Sequence, residues 1–148
     1  TTIMGRPDSG AVMVGAGAPP SPGGTNCLGS SPPAERTALP LSTYGSRLDV
    51  QAYGSCVATT SAPGWQDLTP SATNPNKTYA GTFNGTSSAS AIVAGTVAAL
   101  QGVAKAGSGV LTPAQVRDTL KLTGTAQPTG DPHHIGPRPN LHAAIDSL

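Results

Sequence analysis

The stretch Asn84-Gly85-Thr86-Ser87-Ser88-Ala89-Ser90-Ala91-Ile92-Val93-Ala94-Gly95 sets three serines among residues too small to fill a core, then runs into an apolar segment. From Ser87 to about Ala106 the chain is small or apolar almost all round, without proline and with Gly95 and Gly102 as breakers. That pattern predicts a helix buried on every side rather than an amphipathic one. A serine at the start of such a helix has much of what a nucleophile needs. Its own amide and those beside it point outward, with the positive end of the helix dipole behind them. A hydroxyl attacks where it is exposed, near a base and matched by N–H donors for the oxyanion. Small neighbours leave clearance for a substrate.

Upstream, residues 11–17 (AVMVGAG) form a short apolar run suited to a strand buried on both faces. Gly15-Ala16-Gly17 does not begin a dinucleotide site, because Pro20 stands where the third glycine of G-x-G-x-x-G belongs and the prolines after it cannot open a helix. Residues 18–43 read as a long Pro/Gly/Ser loop. In residues 47–52, Leu48, Val50 and Ala52 alternate with Arg47, Asp49 and Gln51, a strand pattern that Gly54 interrupts before a second β-rich run. Residues 78–83 (TYAGTF) are a further strand candidate, delivering the chain to the serine motif. Downstream, Thr112 is placed as an N-cap, with Pro113 at the first helical position, Gln115 completing a capping box and Leu111 set to staple onto Val116. Gly124 is the stop of that helix, and a last short helix begins near Asn140.

Composition narrows the function classes. The 148 residues include 19 Gly and 15 Pro but one Trp and one Phe, few large side chains for a core. Charged residues are 10% and the formal net charge is +1, so nothing argues for nucleic acid or an anionic membrane as partner. By composition no run reaches the roughly 18 apolar residues that a membrane helix needs, and the N-terminus is not leader-like, which predicts no membrane partner and a mature or trimmed chain. Cys27 and Cys56 match no zinc or redox spacing. A bridge between them would close a loop of about 30 residues and add on the order of 3 kcal/mol in an oxidising compartment; two unrelated buried thiols are the alternative.

The motif Gly85-Thr86-Ser87-Ser88-Ala89 departs from the G-x-S-x-G elbow of α/β-hydrolases, since Ala89 replaces its second glycine. It resembles instead the G-T-S-x-A-x-P motif of the subtilisin-like serine proteases, with Ala91 in the proline position. Residues 8–17, 44–60, 111–125 and 135–145 are similar to further segments of that family in the same order.

The resemblance implies an α/β, subtilisin-like three-layer fold with a mostly parallel sheet and a buried central nucleophile helix. Residues 1–148 would be the C-terminal part of one catalytic domain, about half of it. Ser87 would be the nucleophile and give one oxyanion donor from its N–H. Thr86 would support that hole, Asn84 and Ser88 would flank the leaving-group side, and Ser90 would be packing. The implied chemistry is hydrolysis of protein or peptide substrates through an acyl-enzyme, in a secreted or extracytoplasmic protein. The family's Asp and His motifs do not occur upstream of Ser87, and its oxyanion Asn is expected before residue 1. The partner implied is therefore the N-terminal half of the same domain, held on a nicked or separate chain. The alternative is a pseudo-protease that keeps the scaffold for binding. No cofactor is expected; calcium is possible by resemblance only, as no carboxylate cluster marks a site.

His133, His134 and His142 lie on the wrong side of Ser87 for the family order and read as surface or turn residues. An Asp131–His133 pair serving Ser87 would be a new triad, and is set aside for that simpler reading. Asp49 reads as structural. Asn76-Lys77-Thr78 and Asn84-Gly85-Thr86 are glycosylation sequons by pattern, expected to be unused.

Overall fold

The computed structural model describes residues 8–20, 33–62, 64, 68, 74–107 and 109–148. The apolar run near the N-terminus forms β1 (Val14–Gly17), and the alternating segment forms β2 (Val50–Tyr53). They pair in parallel, Val14 opposite Val50 and Gly17 opposite Tyr53. After the Gly54 break come β3 (Val57–Thr60) and β4 (Tyr79–Phe83), which pair antiparallel with a register shift between Val57 and Thr59. The strand that leads into the serine motif thus belongs to a separate hairpin, not to the parallel pair. Three helices follow: α1 (Thr86–Ala106), α2 (Pro113–Thr123) and α3 (Leu141–Asp146).

Helix α1 packs on β1 and β2, α3 on α1, and α2 on α3. Val50, Ala52, Ala89, Val93, Leu100, Val116, Leu120 and Ala144 make the core, with Leu111 and Val14 against it. A smaller cluster of Ala16, Ala18 and Leu39 seals the end of β1.

Two expectations need correction at α1. Its burial is one-sided: Ser88, Ala89, Val93, Leu100 and Ala104 are buried, while Ala91, Ile92, Ala94, Gly95, Ala98, Ala99 and Gly102 are exposed. The two-stranded parallel pair and α3 reach one flank and leave the other uncovered. The helix is also long and apolar enough to cross a membrane by length and composition, with 21 residues and mean hydropathy 1.4. Many small residues with scattered Val, Ile and Leu give it that hydropathy without a continuous bulky run.

Helix α2 starts as its sequence dictates. Thr112 caps it, accepting from the Gln115 amide, while the Gln115 side chain accepts from the Thr112 amide, and Pro113 fills the first turn. Gly124 ends the helix for a different reason from the left-handed turn common to such glycines. Its φ is −70°, and a Cβ there would lie 2.8 Å from the Leu120 carbonyl oxygen, 2.9 Å from Pro137 and 3.0 Å from the Arg138 carbonyl oxygen. Close backbone packing, not a special dihedral, demands the glycine. Helix α3 is capped by Asn140, which accepts from the Ala143 amide.

Candidate active site

Helix α1 begins without a side-chain cap. Its N-cap is Gly85, with φ 102° and ψ 168°, a conformation essentially closed to residues carrying a Cβ. The Gly85 amide donates to the Gly54 carbonyl at 2.8 Å, so the turn hangs from the end of β2. The first donors of a helix have no partner within it. Among the described residues the amides of Thr86 and Ser87 have no acceptor elsewhere either. The Ser87 side chain is exposed beside them, and Asn84 is exposed on the strand side. An exposed hydroxyl and two unengaged N–H groups therefore share one turn at the positive end of a 21-residue helix.

Ser88 is 1% exposed, and the one proton of its hydroxyl is shared between the Gly85 carbonyl, 2.8 Å from Oγ, and the Tyr53 carbonyl, 3.1 Å from it. Its hydroxyl holds the first turn down on β2, so a place on the leaving-group side is left to its backbone. Ser90 is exposed on the open flank of α1 rather than packed, because no described element covers that flank. An open cleft of about 500 Å³ lies along the β3–β4 hairpin, with Thr59, Thr82, Phe83 and Asn84 in its wall. Both this cleft and the inward turn of Ser88 depend on how the hairpin and β2 meet α1, which no local sequence pattern carries.

The other candidate residues are engaged elsewhere. The Asp131 side chain is 6% exposed and accepts from the Ala38 amide at 2.7 Å, the Gln127 amide group at 2.7 Å and the His133 amide at 3.0 Å. Burial by itself would raise its pKa; these donors outweigh burial and hold the carboxyl below its usual value. The His133 ring packs on Tyr44 at 4.2 Å, and its Nδ1 is 3.8 Å from Asp131. His142 is 88% exposed and pairs with Asp146 along α3. Asp49 accepts from the Met13 amide and from Arg47, binding β1 to the start of β2 as a structural group. Cys27, and with it the expected Cys27–Cys56 bridge, lies outside the described residues. Among the described residues no group of three or more His, Cys, Asp or Glu is placed to hold a metal.

The parallel pair is also unfinished at one edge. The Met13 carbonyl accepts from Asp49 and Val50, and the Gly17 carbonyl from Gly54, so odd-numbered residues of β1 face β2 and even-numbered ones face outward. At Ala16 the outward groups are taken by the Ser42 hydroxyl and the Leu39 amide. At Val14 they have no partner among the described residues. Beside this edge an apolar cleft of about 360 Å³ opens between β1 and α1, lined by Val12, Val14, Ser90, Ala94 and Ala98.

Comparison with known proteins accords with this geometry. The sequence is 40% identical over 87 residues to an extracellular protease of Xanthomonas campestris pv. campestris, a match covering 59% of this chain and 13% of that protein. In structure it is similar to fervidolysin from Fervidobacterium pennivorans, a keratinolytic enzyme related to subtilisin, with TM-score 0.62 and 23% identity over 93% of this chain and 19% of that one. It is likewise similar to a protease from Pseudoalteromonas arctica, with TM-score 0.60 and 22% identity over 94% of this chain and 36% of that one. The chain thus spans well under half the length of these relatives, and the fold it shares with them is subtilisin-like. The model of the subtilase family of peptidases matches residues 10–137, most of the sequence, and the chain belongs to that family.

Proposed function

We propose that the chain is the nucleophile-bearing part of a serine endopeptidase, with Ser87 attacking the peptide carbonyl. The observation that carries this is the start of α1, where an exposed Ser87 hydroxyl stands beside the unengaged amides of Thr86 and Ser87. The Ser87 N–H would hold one side of the oxyanion, Thr86 would support it, and Asn84 and the backbone at Ser88 would border the leaving group. The cleft along β3–β4 gives an extended peptide room next to Asn84.

The general base, its Asp and a second oxyanion donor would come from the N-terminal part of the same catalytic domain. Two features support such a partner. The outward groups of Val14 call for another strand, and the small-residue flank of α1 calls for close cover. The partner His would take the Ser87 proton, the acyl-enzyme would form with loss of the amine, and water would then hydrolyse it. The extracellular relative favours secretion, where a Cys27–Cys56 bridge would be stable.

Fluorophosphonate labelling tests the reading. The assembled protein should take label at Ser87, Ser87→Ala should take none and lose activity by about 10⁴-fold or more, and residues 1–148 alone should label poorly for want of the base. An intact assembly that stays unlabelled, or label retained in Ser87→Ala, would overturn it and favour a binding role.

A further inference from the structure

We propose that Ser88 is a positioning residue for the nucleophile, a role that rests on the reading of Ser87 above. A serine in the first turn of a helix commonly bonds back to a nearby carbonyl, and the 2.8 Å contact of Ser88 with Gly85 is of that local kind. Its second contact is not local. The Tyr53 carbonyl, 35 residues away in sequence, lies 3.1 Å from the same Oγ. The Gly85 amide is bonded to the carbonyl of the very next residue, Gly54. Thr86 and Ser87 are thus held between two attachments to consecutive residues at the end of β2, one made by backbone and one by the Ser88 hydroxyl.

The anchor is itself fixed. The Tyr53 hydroxyl lies 2.7 Å from Arg138 Nη1, Arg138 is bound to Glu35, and its backbone exchanges hydrogen bonds with Thr125. Such a two-point clamp sets the direction of the Ser87 Cα–Cβ bond and of the Ser87 amide, neither of which has a bond of its own to hold it. Without the Ser88 hydroxyl, the Gly85–Gly54 bond would be the one hydrogen bond tying the turn to the end of β2 among the described residues, and the Tyr53 carbonyl would be left without that donor. The Ser88 side chain is turned inward, away from any substrate, so the clamp acts on the rate of attack and not on binding.

The test uses the full protease with Ser88→Ala and the near-isosteric Ser88→Cys, whose thiol is a weak donor. Both variants should lower kcat and the rate of fluorophosphonate labelling about tenfold or more, within what small displacements of reacting groups do, while KM stays within about twofold. Rates are referred to the folded fraction, measured by thermal melting, and Ser88→Cys supplies the result if Ser88→Ala does not fold. A folded variant with kcat within twofold of the parent, or one that loses rate through KM instead, overturns the proposal. A parent protein that takes no label overturns the nucleophile reading together with this one, whereas a labelled parent with indifferent Ser88 variants overturns this one alone.

Discussion

Helix α2 starts with a side-chain cap and a closed capping box, whereas α1 starts without a side-chain cap. At α2 a threonine, a proline and a glutamine close the first turn on itself. At α1 a glycine in a strained conformation carries the chain into the helix, no side chain caps it, and the amides of Thr86 and Ser87 are left unengaged. The Asp131 loop resembles α2 in this respect, with one carboxylate collecting three donors. First-turn amides of a helix have no partner within it, and those beside the exposed Ser87 are placed to take a developing negative charge.

The largest effect should come from closing the contrast at Gly85. A Cβ there would find only the Ser87 amide nitrogen, at 3.7 Å, so the obstacle to Gly85→Ala is the backbone conformation and not a clash. Holding φ near 102° would cost about 1–3 kcal/mol, and relaxing it would swing the very amide proposed for the oxyanion. Gly85→Ala should therefore destabilise by that amount and lower the labelling rate at Ser87 more than tenfold, read by melting and labelling together. A variant that melts lower but labels at the parent rate would mean that the open amides do not serve the chemistry.

How much of this was readable beforehand follows the range of the interactions. The Thr112 cap and its box are contacts across three residues, so spacing alone placed them. The Gly85-Thr86-Ser87 turn was equally legible, because the glycine, the small residues and the helix start are neighbours in sequence. Gly124 is legible as a stop, but what demands a glycine there is not, since Pro137 and Arg138 crowd it from a distant segment. The bare flank of α1, the pairing of β4 with β3 and the tie from Ser88 to Tyr53 were out of reach for the same reason. Each depends on which elements are present to pack, and periodicity cannot say that an apolar helix has been given a partner on one side only.

Asp131 offers the next test, on the satisfied side of the comparison. Its folded pKa lies below the ordinary value, so ionisation stabilises the fold at pH above the unfolded value of about 4, and that contribution is lost as pH falls through the lower folded value. Asp131→Asn keeps the shape but loses the charge on which Ala38, Gln127 and His133 converge. It should cost about 2 kcal/mol near neutral pH, and the gap from the parent should close below about pH 4. Denaturant melts at pH 7 and pH 3 measure both. Equal gaps at the two pH values would show that the charge does not hold this loop.

The smallest effect, and the sharpest check on the comparison, belongs to Thr112. Thr112→Ala removes the hydroxyl that the Gln115 amide bonds to, and should cost about 1 kcal/mol, the usual worth of such a cap. Helix α2 is tied to α1 where the Gln101 side chain bonds to Leu111, towards the far end of α1 from Ser87, so the loss should stay away from the Ser87 turn: the melting point falls while labelling at Ser87, referred to folded protein, does not change. Were labelling to fall in step, the two helix starts would be one cooperative unit. The openness of α1 would then be a by-product of how the whole domain is braced, not a property built into Gly85, Thr86 and Ser87. Unchanged labelling leaves the two starts independent, one closed for stability and the other kept open for charge, which is the division the hydrogen bonds already draw.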